Sequence, residues 1–270
     1  MTSNRIGFKQ FINKLENNQD ISIVIDSNIL IANFDELHSS HEVVKNFLEQ
    51  IDEMANITFY TTVTTKAEFL DYQRKRFLTE CLFDLIDEYS GDVHLSLLSK
   101  SAISLAKARR NKRQHDEEKK SEKDPDHEFD AKTAYLSDNE IREIKKKFRA
   151  RDIEKEDGWL KICDIFLKQK LLDQEILIDE FCEYLSPHKE EQKEIFVNPY
   201  VDWKKTTLIS AETGMGFSDS LILNILLHTK INYILTLDFD LIYASAVSAD
   251  NKQVLLPDNR IKAFKSVLKG

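Results

Sequence analysis

Short apolar runs alternate with longer helical stripes at both ends of the chain. Ile21 to Ile25 is almost entirely apolar, which is typical of a strand buried on both faces of a parallel sheet. Ile57 to Thr61 is rich in β-branched and aromatic residues and predicts a second strand. Helical spacing of apolar residues predicts helices over Phe8 to Leu15 and over Val43 to Ile51. Strand–helix alternation of this kind implies a parallel sheet with right-handed crossovers.

The same alternation returns near the end of the chain. The stretch "TGMGFSDSLILNILLH" from Thr213 predicts a Gly-containing loop, a Ser cap and an apolar helix. The stretch "NYILTLDFD" from Asn232 predicts a third strand that ends on carboxylates. A helix over Asp240 to Val247 and a short strand over Gln253 to Pro257 complete the pattern. We therefore expect an α/β domain formed by residues 1–90 and 206–270.

The segment between these two halves, residues 91–205, has a different character and predicts a large helical insertion. Residues 111–132 are nearly all polar, so a mobile loop or a solvated helix extension is expected there. Ser137 and Glu140 have the spacing of a capping box that begins a basic helix. A long helical pattern over Trp159 to Leu185 is expected to break near Asp173.

Charge is distributed unevenly along the 270 residues. The formal net charge is −9, which argues against a simple nucleic-acid coat. Between Lys100 and Arg151, however, 16 Lys and Arg face 11 Asp and Glu, so an acidic body carries a basic middle segment. The three cysteines are far apart and predict reduced thiols in a cytoplasmic protein. No apolar stretch is long enough to span a membrane, and no membrane partner is expected.

Acidic residues stand where each half of the predicted sheet would place a site. Asp26 and Asp238 each follow a predicted strand, and Glu68 and Asp219 each lie in the first turn of a helix. Ligands of parallel α/β sheets bind at the carboxyl ends of the strands, so these side chains are expected to converge. Carboxylates in one cleft repel each other, and Mg²⁺ or Mn²⁺ would remove that penalty. Such a cation suits phosphodiester hydrolysis, because it lowers the pKa of bound water.

Each acid also has a plain structural explanation. Asp26 and Asp238 could cap the helices that follow them, and Asp219 could be a favourable charge at a helix N-terminus. Glu68 could complete a capping box with Thr65. Asp240 is better explained as a cap or a solvated acid than as a ligand. Only the order and context of the whole set are specific.

In order and context, the set resembles the PIN-domain nucleases over about half of the chain, residues 21–89 and 208–257. Asp26, Glu68, Asp219 and Asp238 match the acids of that family one by one. Asn28 and Thr236 match its supporting polar residues, and Asp240 is a further supporting candidate. The resemblance implies a three-layer α/β/α fold and an endoribonuclease that uses Mg²⁺ or Mn²⁺ and a metal-activated water. It also implies RNA as substrate. A homodimer and an inhibitory or regulatory protein partner are alternatives that the sequence leaves open. The inserted segment departs from compact members of the family.

Two basic clusters of the insertion are candidates for contacts with RNA, because phosphate contacts dominate nucleic-acid affinity. The candidates are Lys107, Arg109, Arg110, Lys112 and Arg113 in one cluster, and Lys145, Lys146, Lys147, Arg149 and Arg151 in the other. Lysine-rich helix faces are more often merely solvated. The function classes left open are the nuclease and a non-catalytic RNA-binding or assembly module. A phosphatase of the haloacid dehalogenase type fits poorly, because it requires D-x-D and Asn28 occupies the second position.

Overall fold

A computed structural model describes residues 4–15, 19–87, 95–123, 130–148, 158–198, 202–248 and 252–265. Within these residues the chain divides into two compact units. The sheet unit comprises Met1–Glu36, Ser40–Phe69 and Ile178–Gly270, and the helical unit comprises Leu37–Ser39 and Leu70–Leu177. No helix among the described residues combines the length and the apolar character needed to cross a membrane.

Six strands form one sheet in the sheet unit, and every strand pair in it is parallel. The strands are β1 (Arg5–Gly7), β2 (Asp20–Ile25), β3 (Asn56–Thr61), β4 (Glu183–Tyr184), β5 (Tyr233–Leu235) and β6 (Gln253–Leu256). Their order across the sheet is β1-β6-β5-β2-β3-β4. The predicted α/β class with a central parallel sheet is thus confirmed.

Seven described helices lie wholly in the sheet unit. Those that begin at Phe8, His41, Phe217 and Phe239 lie where helices were predicted, whereas those that begin at Ser27, Trp203 and Asp258 were not predicted. They are α1 (Phe8–Ile12), α2 (Ser27–Phe34), α3 (His41–Met54), α9 (Trp203–Thr213), α10 (Phe217–Leu227), α11 (Phe239–Ser248) and α12 (Asp258–Lys265). Apolar side chains of α9, α10 and α11 pack with those of β2, β5 and β6 in one buried cluster. The expected Ser cap of α10 is wrong, because the N-cap residue is Gly216, which has no side chain to cap the helix.

The remaining helices build the helical unit or run into it. They are α4 (Val63–Asp87), α5 (Leu97–Lys123), α6 (Asp138–Lys145), α7 (Gly158–Ile162) and α8 (Lys168–Phe181). The helical unit begins inside α4 rather than at the predicted residue 91, because Phe77, Leu78 and Leu82 join its apolar core. Of the two alternatives for residues 111–132, the helix extension describes 111–123; residues 124–129 lie outside the described part.

Two features of the inserted segment differ from the prediction. The helical pattern does not break at Asp173; a π-helical turn over Cys163–Leu167 joins α7 to α8 instead. The helix also ends at Phe181 rather than at Leu185, and β4 follows it as a two-residue edge strand beside β3. A pairing so short leaves no alternation in the sequence. The capping box of Ser137 and Glu140, in contrast, is confirmed.

Candidate active site

Asp26 stands at the carboxyl end of β2, the strand at which the strand order of the sheet reverses. From β2 the chain continues to β3 on one side, while β5 lies on the other, so this edge is a topological switch point. The Asp26 amide donates to the Leu235 carbonyl oxygen at 3.0 Å, which extends the β2–β5 ladder by one residue. The carboxylate then caps α2 by accepting from the Ser27 amide at 2.7 Å. Strand and helix therefore meet without a loop, and the side chain is fixed at the edge of the sheet.

Asp26 is only 2 % exposed and is held by polar side chains on both sides. Its Oδ2 accepts from Asn28 Nδ2 and from Thr236 Oγ1, both at 2.7 Å. Asn28 Oδ1 in turn accepts from the Leu237 amide at 2.9 Å, and Thr236 Oγ1 accepts from the Asp238 amide at 2.9 Å. The two predicted supporting residues thus tie the ends of β2 and β5 together around this carboxylate.

Asp238 follows β5 and caps α11. Its Oδ1 accepts from the Asp240 amide at 2.7 Å and from the Leu241 amide at 3.2 Å. The plain explanation of Asp238 as a cap is therefore correct, but it does not remove the side chain from the site. Asp240 itself is exposed.

Glu68 belongs to this site and not to a capping box with Thr65. Helix α4 begins at Val63, ahead of Thr65, and Thr62 Oγ1 accepts from the Thr65 amide at 3.2 Å. The predicted box is therefore wrong, because the cap lies three residues earlier than expected. Glu68 Oε2 instead accepts from Ser27 Oγ at 2.8 Å, which links the first turn of α2 to the second turn of α4. The prediction that Glu68 lies in the first turn of its helix is therefore wrong, because α4 begins earlier than expected.

Asp219 lies half-buried in the first turn of α10, and its surroundings are acidic. Its pKa is raised to about 6, mainly by burial and in addition by the negative charges of Asp238, Glu68 and Asp240. The pKa of Asp26 is likewise raised, to about 7: burial is the largest cause, repulsion from Asp238 and Asp219 adds to it, and hydrogen bonds from Thr236 and Ser27 oppose the shift. The predicted acids therefore lie within electrostatic range of one another.

Whether this set can hold a cation depends on donor chemistry and on arrangement. Carboxylate oxygens are the ligands that Mg²⁺ and Mn²⁺ prefer, and mutual repulsion is the penalty that a cation would remove. As placed, no three His, Cys, Asp or Glu side chains of the described residues form a group that could hold a metal ion. Both oxygens of Asp26 already accept hydrogen bonds from protein donors. The donor types fit such a cation, and side-chain movement would be needed to bind it.

Two residues near the acids were not singled out from the sequence. Ser27 connects Asp26 to Glu68, and its place between two candidate residues was the available clue. Arg260, in α12, donates through Nη1 to the carbonyl oxygen of Leu237, the residue before Asp238. The position of the Arg260 side chain depends on how α12 packs, so no local sequence pattern predicts this contact.

The basic candidates lie in the helical unit, and several make internal contacts there. Arg113 forms a two-bond ion pair with the buried Glu140, at 2.7 and 3.0 Å, and Lys107 pairs with Asp87. Arg110 lies 5.1 Å from the Phe83 ring centroid. Lys146 pairs with Glu143 at 2.7 Å, and Lys145 lies 5.9 Å from the centroid of the Trp159 ring. Three further candidates are exposed: Arg109, Lys112 and Lys147. The last two, Arg149 and Arg151, lie outside the described residues.

No family model, no curated protein and no solved structure matches this chain. The functional interpretation therefore depends on the residues and geometry described above.

Proposed function

We propose that the chain is a metal-dependent endoribonuclease of PIN-like architecture, with the sheet unit as its catalytic domain. The observation that carries the proposal is the convergence of Asp26, Glu68, Asp219 and Asp238 at one edge of the sheet. They come from different elements, and charge repulsion contributes to the raised pKa of Asp26 and of Asp219. A purely structural role would not require helix starts and strand ends to bring like charges together.

The chain's own residues divide the work in this proposal. Asp26 and Asp238 would hold Mg²⁺ or Mn²⁺ most directly, while Glu68 and Asp219 would complete the site or orient the attacking water. When bound, the cation would lower the pKa of that water and neutralise charge that develops on the phosphate. Thr236 and Asn28 would keep the Asp26 carboxylate in place, as their hydrogen bonds already do.

A second candidate function is a non-catalytic RNA-binding or assembly module. The observation that favours it is the full use of the Asp26 oxygens by protein donors, which is what a structural cap requires. In that case the acids would stabilise helix starts and the chain would need no cation.

Cleavage of total cellular RNA with Mn²⁺ or Mg²⁺ separates these functions, and the β2 strand offers a matched control. Asp26→Asn removes the acid at the carboxyl end of β2, whereas Asp20→Asn makes the same change at its exposed start, roughly 20 Å away by strand rise. We expect cleavage by the wild type and by Asp20→Asn, and none by a folded Asp26→Asn protein. Full activity of Asp26→Asn, or absence of cleavage by the wild type with either cation, would contradict the nuclease.

A further inference from the structure

Two large aromatic rings are exposed beside the acidic site. Phe217 is the first residue of α10 and is 54 % exposed, and Phe239 is the first residue of α11 and is 41 % exposed. Asp219 lies two residues after the first ring, and Asp238 immediately precedes the second. A single exposed Phe is ordinary on protein surfaces. Two of them, each within two residues of a candidate acid, place exposed apolar area at the starts of both helices that adjoin these acids.

The backbone before Phe217 is held in place by hydrogen bonds. Ser210 Oγ donates to the Met215 carbonyl oxygen at 2.8 Å, and Ser220 Oγ donates to the Gly216 carbonyl oxygen at 2.8 Å. Gly214 turns the chain out of α9 with a φ of 74°, a left-handed conformation that favours glycine. The ring of Phe217 therefore extends from a fixed point, so little backbone freedom would be lost when it binds a ligand.

The second ring is supported from its own helix. Phe239 and Tyr243, one turn apart in α11, have ring planes within 14° of parallel and centroids 6.4 Å apart. This near-parallel pair keeps a flat apolar surface at the start of α11, next to Asp238.

We propose that Phe217 and Phe239, at the starts of the two helices that adjoin Asp219 and Asp238, are stacking surfaces for nucleobases. This proposal rests on the proposed function and specifies which part of the substrate the site contacts. Nucleobases stack on aromatic side chains of proteins whatever their sequence. Bases inside a duplex are already stacked on each other, so these rings would select nucleotides whose bases are unpaired. Base stacking would also supply affinity that does not depend on bringing phosphates close to carboxylates.

Trp203 provides a matched control, because it too is an exposed aromatic residue at the start of a helix of the sheet unit. It is the first residue of α9 and is 63 % exposed. The preceding carbonyl oxygen, of Asp202, accepts from Asn224 Nδ2 at 2.9 Å. This places Trp203 near the last turn of α10, whereas Phe217 lies at the first turn, about 10 Å away along the helix.

The test compares binding of two labelled oligomers by fluorescence anisotropy, in EDTA and again with Mn²⁺ in the Asp26→Asn background. One oligomer is single-stranded oligoadenylate, and the other is a ribose-phosphate chain of equal length without bases. We expect Phe217→Ala and Phe239→Ala each to weaken oligoadenylate binding by roughly five- to a hundredfold. Neither should change binding of the abasic chain, and Trp203→Ala should leave both unchanged.

Conservative variants separate stacking from simple apolar contact. Phe217→Tyr keeps an aromatic face and should retain binding, whereas Phe217→Leu keeps apolar volume and should lose it. Equal affinity for the two oligomers, no binding of either, or an equal loss in Trp203→Ala would overturn the proposal.

This outcome is independent of cleavage. Base-dependent binding without any RNA cleavage would support the stacking site and contradict the proposed nuclease activity. Cleavage of RNA together with equal binding of both oligomers would do the reverse.

Discussion

Burial of Asp26 predicts that the sheet unit becomes less stable as pH rises, which is opposite to the usual behaviour of a carboxylate. Burial is the largest cause that raises its pKa from an ordinary value of 3.8 to about 7. The folded protein therefore binds this proton more tightly than the unfolded chain does. The stability gained from that proton is complete below the unfolded pKa and is lost as pH rises through about 7.

The size of the effect follows from these two pKa values. Between about pH 5 and about pH 8 the folded state should lose on the order of 2–3 kcal/mol relative to a variant that does not titrate there. Asp26→Asn is that variant, since an amide keeps the shape without the charge. The side-chain NH₂ group of this variant would face a hydrogen-bond donor, either the Ser27 amide or the pair Asn28 and Thr236, so at least one hydrogen bond would be lost. The free-energy cost of that loss does not depend on pH.

Hydrogen exchange of the β2 amides, followed by mass spectrometry in EDTA, measures this difference locally. A local measurement is preferable because a chain of two compact units need not unfold in a single transition. Comparing wild type with Asp26→Asn at the same pH cancels the intrinsic exchange rate. We expect the wild-type opening constant to rise relative to the variant by roughly a hundredfold between about pH 5 and about pH 8.

The Asp20→Asn variant is the control, because Asp20 is exposed at the other end of β2. It should follow the wild type at every pH. If wild type and Asp26→Asn instead keep a constant ratio of opening constants across this range, the carboxylate is not destabilised by its surroundings. Burial and repulsion would then not raise the pKa of Asp26 in the folded protein.

Further predictions concern one neighbour of Asp26 and two charged residues of the helical unit. Thr236→Val removes a donor to Asp26, so it should raise the pKa of Asp26 still further and reduce Mn²⁺ affinity, with Thr236→Ser restoring both; NMR titration and calorimetry measure them. Glu140→Gln should destabilise the helical unit by about 1–3 kcal/mol at neutral pH in urea unfolding, since it weakens the buried ion pair with Arg113. Burial alone would raise the pKa of Glu140, but hydrogen bonds from Arg113 and Ser137 outweigh it and lower that pKa, so this difference should shrink as pH falls below about 4. Arg109→Ala, at an exposed position, should leave the free energy of unfolding unchanged. If Arg109 contacts an RNA phosphate, the substitution should reduce the slope of log K for RNA binding against log salt concentration by about 0.7 in magnitude.

Elements with a strong local pattern were predictable from the sequence. The runs that became β2 and β3 were found because strands buried on both faces are apolar or β-branched throughout. β1 and β4, with three and two residues, were missed because such short strands are specified by their neighbours in the sheet.

The positions of two candidate acids were predictable for a related reason. In a parallel sheet the position of a residue at a strand end already fixes the edge at which it lies, so Asp26 and Asp238 could be placed without coordinates. What could not be predicted is which donor each oxygen meets. The bond from Ser27 to Glu68 depends on the relative position of α2 and α4, and the approach of Arg260 depends on α12.

Mn²⁺ titration followed by electron paramagnetic resonance measures whether these carboxylates together bind one divalent cation. Wild type and Asp20→Asn should bind Mn²⁺ at one site, and Asp26→Asn and Asp238→Asn should each lose that site while remaining folded. If Mn²⁺ binds Asp26→Asn and Asp238→Asn as tightly as the wild type, or binds none of the proteins, the acids do not form a cation site.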